Sequence, residues 1–311
     1  MSSFRVLPFL IVILLGSLPA SASSLTAYNL VLSGNFIGST HVEGAAFIGG
    51  NLTATGMSDF NHHGNTPAGL DALSVMGQVS GQMKILNQGT GVYGSLAAGS
   101  NVDCNGNTGC AGKADSLEMA ALAAELQSLV QQMNALSSGL DALTTNGVFN
   151  VTDPNQARFR YDGSESTAVF DITTADLVKA RTLLLDVKPT TQQIVINVTG
   201  NIASSLSGIN FGGNWPDARV IWNFTDATTL KFGSLTGRGV ILAPSADVFG
   251  SAGFEAPIYA KSLDLSDGLR EIHWESYTPP DLPRPIPEPT MTLLALAGIA
   301  AAGLRARRVR R

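Results

Sequence analysis

Tyr28-Asn-Leu-Val-Leu-Ser-Gly-Asn-Phe-Ile-Gly38 and, a little further on, Ala45-Ala-Phe-Ile-Gly-Gly-Asn-Leu-Thr-Ala-Thr-Gly56 set short apolar runs between Gly and Asn turns. Asn29 and Ala45 stand sixteen residues apart, and so do Asn35 and Asn51. The C-terminal part behaves alike. Val220-Ile-Trp-Asn-Phe224, Val240-Ile-Leu-Ala-Pro244 and Ile258-Tyr-Ala-Lys261 recur at steps of 20 and 18, interleaved with Leu230-Lys-Phe-Gly-Ser234, Asp247-Val-Phe-Gly-Ser251 and Leu263-Asp-Leu-Ser266. Such a quasi-period predicts a solenoid in which each coil buries its inner face on its neighbours. The natural form is a mainly β, parallel β-helix with Val, Ile, Leu and Phe turned inward and Gly and Asn at left-handed corners. Short strands at regular spacing also suit a β-sandwich, which is the alternative.

One segment breaks the pattern. Residues 115–145 read as a long helix with Asp115 or Ser116 as N-cap, since Met119, Leu122, Leu126, Leu129, Met133, Leu136, Leu140 and Leu143 step by three and four. Asn146-Gly147 is its expected end. Between Glu118 and Asp141 only Glu125 is charged. That scarcity favours a helix whose apolar stripe is buried along the β-domain over a coiled-coil strand.

Working outward, both ends of the chain differ from its middle. Residues 1–22 read as a signal peptide: Arg5, an apolar run from Val6 to Leu18, and small residues offering an Ala20-x-Ala22 cleavage site. Residues 23–278 then form the β-domain. Residues 279–289 form a Pro-rich extended spacer, residues 290–304 an uncharged stretch expected to be a transmembrane helix, and residues 305–311 a cytoplasmic tail with Arg305, Arg307, Arg308, Arg310 and Arg311 as the membrane stop. At about 1.5 Å per residue the apolar stretch reaches roughly 22 Å, so the arginines must snorkel to the interface.

The whole chain carries a formal net charge of −5, and the domain between its basic ends is more acidic still. That balance argues against nucleic acid as a partner. Cys104 and Cys110, the two cysteines of the chain, enclose a short turn-rich loop. In an exported protein such a pair is expected to close a disulfide.

Ile286-Pro287-Glu288-Pro289-Thr290, the short apolar segment and the Arg tail resemble the PEP-CTERM sorting signal of Gram-negative bacteria. The resemblance implies a precursor held in the inner membrane, handled by signal peptidase and by an exosortase acting near Pro287, Glu288 and Pro289, and then a place at the cell surface or in a biofilm matrix. The middle of the chain resembles the choice-of-anchor A domain. The marks are Ala27-Tyr-Asn-Leu-Val31, Val42-Glu-Gly-Ala-Ala-Phe-Ile-Gly-Gly-Asn-Leu52, Trp222-Asn-Phe-Thr-Asp-Ala-Thr-Thr229 and Gly239-Val-Ile-Leu-Ala-Pro244. This resemblance implies a right-handed β-helix with a helix beside it and an adhesive role without catalytic residues, the partner being exopolysaccharide or further copies of the chain.

Smaller motifs carry less. Gly89-Thr-Gly91-Val-Tyr-Gly94 spells a dinucleotide fingerprint, but no helix pattern follows it, so these read as turn glycines. Asp103-Cys-Asn105-Gly-Asn107-Thr-Gly109 approximates a calcium loop, with its glycine one place late and Ala114 where a Glu belongs. Asp59, His62 and His63 could donate to a metal, yet no third His lies near them in sequence. His41 with Glu43, and Glu271 with His273 and Glu275, are two-apart acid and base sets on strands, and no nucleophile accompanies them. Gly233-Ser-Leu-Thr-Gly237 lacks nucleophile-elbow spacing. Asn51, Asn150, Asn197 and Asn223 sit in sequons that mean little in a bacterium. The expectation is a non-enzyme without metal or cofactor. A polysaccharide lyase or hydrolase is the runner-up. Ice binding is a third reading, requiring a rank of Thr, of which Thr53-Ala-Thr55 is the clear instance.

Overall fold

The computed structural model describes residues 24–106, 109–206, 208–280 and 282. Ala20 and Ala22, the Pro287-Glu288-Pro289 motif, the 290–304 stretch and the tail arginines lie outside them. Among the described residues no helix is long and apolar enough to cross a membrane.

The chain winds into a parallel β-solenoid. Among the described residues fourteen strands join one sheet and four a second, and all pairings are parallel except that of Val148–Asn150 with Ala157–Tyr161. A Greek-key sandwich needs antiparallel neighbours, so the alternative fold is excluded. Long strands such as Leu73–Ile85 bend across more than one face of a coil, pairing in succession with 46–48, 52–53 and 57–60.

The order of coils in space is not their order in the chain. Strand Leu30–Leu32 pairs on one side with Ala46–Ile48 and on the other with Ile258–Ala260, near the end of the fold. Likewise Phe36–Val42 lies between Leu52–Phe60 and Ile258–Ile272. The first and last coils therefore meet in mid-stack. The free ends are Ala111–Lys113 and Thr167–Thr173.

Helix Ser116–Asp141 carries the chain from one end to the other. At about 1.5 Å per residue its 26 residues span about 39 Å. That nearly equals the height of roughly nine strand-to-strand steps of about 4.8 Å. Asp115 closes a capping box, accepting from Leu117 and Glu118 while Glu118 accepts from the Asp115 N–H. The helix stops at Asp141, earlier than the expected 145. Asn146 does not cap it. Instead its side chain bonds the backbone of Thr167 and Val169, and Gly147 donates to the Val169 carbonyl, so this segment covers the edge of the terminal strand.

Leu129, Met133, Leu136 and Leu140 lie on Val31, Phe47, Val195, Ile221, Leu242 and Tyr259. The opposite side chains of the same strands, Leu30, Leu32, Ile48, Ile194, Ile196, Trp222 and Ile258 among them, fill the solenoid interior. Strands buried on both faces read as unbroken apolar runs, and this is why Val220–Phe224 is buried throughout.

The sixteen-residue spacing is realised where Leu30 pairs with Ala46 and Phe36 with Leu52. Further along, register departs from the sequence repeat: Val240 faces Ile221, not Val220. With both faces apolar, hydrophobicity alone does not select between adjacent registers. Corner chemistry also differs in part from expectation. Asn61, Asn87 and Asn105 take positive φ. Asn35 and Asn51 act through their side chains, each accepting from the next coil, at Asn51 N and Gln78 N respectively, both at 2.8 Å.

Candidate functional site

Cys104 and Cys110 form a disulfide with Cα atoms 6.0 Å apart, stapling the loop beside the strand edge as expected. Asp103 accepts from Asn105 N, a local turn contact. Gly91 opens strand Gly91–Leu96, so no helix receives the 89–94 glycines. Asn197 and Asn223 are buried and bind inward: Asn223 Nδ2 donates to Asn197 Oδ1 at 2.9 Å and to Ser137 O at 2.9 Å, and Asn197 Nδ2 donates to Leu140 O at 3.1 Å. These asparagines tie the helix to the sheet, a role that their sequons conceal.

One flank gathers a rank of titratable side chains. Along strands 39–42, 57–60, 82–85, 101–103 and 269–272, register aligns Glu271, His41, Asp59, Lys84 and Asp103, one per coil. Alternation places them outward while Val42, Phe60, Ile85 and Ile272 point into the core. Left-handed Asn61 turns the chain at the end of Leu52–Phe60, and its side chain bonds Leu86 O and Thr66 N. That corner sets His62 and His63 beside the rank. His273 follows directly after Ile258–Ile272.

All four histidines of the chain thus meet three carboxylates. Asp59 Oδ2 lies 3.4 Å from His41 Nε2 and 3.7 Å from His62 Nδ1. The His41 and His62 rings stack with centroids 4.5 Å apart. Glu271 reaches His41 Nδ1 at 3.8 Å and His273 Nε2 at 3.3 Å. Buried Glu43 meets His63 Nδ1 and His273 Nδ1, each at 2.8 Å, and accepts from Trp274 N at 2.7 Å. Burial, with the nearby carboxylates of Asp217, Glu43 and Glu255, pushes the neighbouring Glu275 carboxyl up, and His273 offsets part of this.

Asp59, His62 and His63 are close in sequence, as are Glu271, His273 and Glu275, but stacking joins Asp59 to His62 and His41, gives His63 to Glu43 instead, and links the two groups through Glu271. One signal was available: His41 and Asp59 differ by eighteen positions, a spacing already seen between Val240 and Ile258.

The flank carrying Ile37 is more varied. Across successive coils its outward rank reads Lys231, Phe249, Asp264, Ile37, Thr53 and Ser80. Thr55 bonds Ser39. This mixed rank does not repeat threonine from coil to coil.

The fold is thus a parallel β-solenoid with outward side chains ranked along its open flanks. The chain belongs to the family described as "Putative Ice-binding-like adhesive domain", whose model matches residues 21–274. Similar solved structures include an ice-binding protein from an Antarctic biological consortium, at 10% identity and TM-score 0.27, covering 87% of this chain and 95% of that one. Another is the ice-binding protein LeIBP from an Arctic yeast, at 9% identity and TM-score 0.29, covering 84% and 94%. No curated protein matches the chain.

Proposed function

We propose that this is an exported, non-enzymatic surface or matrix protein that adheres to exopolysaccharide through its outer flanks. Membership of an adhesive-domain family across residues 21–274 carries the reading. The varied rank around Ile37, Thr53 and Asp264 supports a hydrated polymer as partner over an ice lattice, which calls for a repeated hydroxyl array. Signal peptidase cutting after Ala22, exosortase handling at Pro287-Glu288-Pro289, and transient anchoring by residues 290–304 with the arginine stop belong to the same reading.

Co-sedimentation of the purified full chain with exopolysaccharide from the producing cells tests it. The chain is expected in the pellet, with polymer length unchanged after prolonged incubation. A chain that stays in the supernatant, or a polymer that shortens, overturns the proposal, the second outcome in favour of a lyase or hydrolase.

A further inference from the structure

We infer that His41, Asp59 and His62 form a binding site for a divalent transition-metal ion of the zinc type. Each places a ligand atom within 4.8 Å of those of the other two. The separations from Asp59 Oδ2, 3.4 Å to His41 Nε2 and 3.7 Å to His62 Nδ1, are close to the edge of about 3.4 Å expected of a tetrahedron with bonds of about 2.1 Å. The two rings stand 9° from parallel, so binding requires one imidazole to rotate out of the stacked pair before both in-plane lone pairs meet at a common point.

A second, independent observation is that the set is unsatisfied. His62 Nδ1, one of the proposed ligand atoms, is buried with no hydrogen-bond partner, and the Asp59 carboxylate, at a residue only 9% exposed, has no partner at its Oδ1. Buried polar atoms left unpaired are costly and call for an explanation, an ion among them. Lys84, the register neighbour of Asp59, makes no ion pair with it among the described residues. Three carboxylates, Glu43, Asp59 and Glu271, converge here on four histidines, and a cation balances them.

The surroundings suit a metal with imidazole ligands. With His41 bound through Nε2, its Nδ1–H lies 3.8 Å from Glu271 Oε1, beyond hydrogen-bond reach, and a shift of the exposed Glu271 side chain toward it gives the carboxylate–histidine arrangement that orients a ligating ring. Glu43 holds His63 and His273, so those two rings are already engaged. Both cysteines are in the disulfide, so thiolate ligation is absent, and the two-imidazole, one-carboxylate set favours Zn²⁺ over Ca²⁺ or Mg²⁺. Three protein ligands leave a fourth position for water or for an oxygen of a bound polymer. The inference stands apart from the adhesive reading, because metal binding is measured without any polymer.

The full chain, freed of metal by chelator dialysis, is titrated with Zn²⁺ by calorimetry and with Co²⁺ by visible absorption. One Zn²⁺ per chain and a Co²⁺ ligand-field band are expected. Asp59→Asn and His62→Gln should each weaken Zn²⁺ binding by at least about tenfold, while His63→Gln, at a ring 57% exposed, leaves it within about twofold. No stoichiometric binding, an equal loss in all three variants, or undiminished binding in the first two overturns the inference.

A measurement on the parent chain covers the case in which a variant fails to fold. Zn²⁺ should move the imidazole proton resonances of His41 and His62 most and raise the Tm, and Mg²⁺ should do neither. Movement confined to His63 and His273, or an equal response to Mg²⁺, overturns the site.

Discussion

At the scale of single residues, the fold depends on a few positions where backbones touch. Gly38 sits at φ +139°, and a Cβ there would lie 2.7 Å from the backbone carbonyl of Leu265 on the adjoining coil. Both the conformation and the contact exclude other side chains, so Gly38→Ala should cost about 1–3 kcal/mol, read as a lower Tm in thermal unfolding. The Asn35 and Asn51 side chains act differently, bonding forward to the next coil. Their identity was legible from the turn pattern. Their mechanism was not, because Asn serves both as a left-handed corner and as a side-chain acceptor. His41 and Glu271 show the same limit. Each was a visible strand residue, and only stacking made them neighbours.

At the scale of elements, the long helix is the clearest case of sequence and structure agreeing on kind and differing in extent. Its three-and-four stripe is buried from Leu129 onward, whereas Leu117 is 78% exposed. Leu140→Ala should therefore lose about 2–5 kcal/mol in urea unfolding, and Leu117→Ala should change stability by less than about 0.5 kcal/mol. The reverse ordering would mean that the helix is held by its N-terminal turn instead of by the sheet. The early stop at Asp141 was not readable from the apolar stripe, which continues to Leu143. Ala142 closes the last turn on Leu140 and Ser138, and the chain beyond it runs to the edge of Thr167–Thr173, where Asn146 and Gly147 bond.

At the scale of the whole molecule, the seam between first and last coils decides how the protein opens. In a stack, the end coils have one neighbour and the middle coils two. Amide hydrogen exchange should be slowest in 30–32 and 258–260 and fastest in 111–113, with 167–173 between them because Asn146 bonds the Val169 N–H. Fast exchange at Leu30–Leu32, as in a solenoid that frays from its N-terminus, would contradict this pairing. Apolar runs, turn residues and the three-and-four stripe were enough to determine that the chain makes short strands and one long helix with a buried face, because those elements follow from local periodicity and burial. Parallel stacking in coils over a sandwich was settled by the strand pairings. The meeting of coil 258–260 with coil 30–32, the register of Ile221 on Val240, and the gathering of all four histidines were decided by tertiary structure alone. Strands apolar on both faces allow several stacking orders and registers of similar hydrophobic burial. The choice between them falls to contacts made across the fold, such as Tyr259 to Tyr28 and Asn29 to His273.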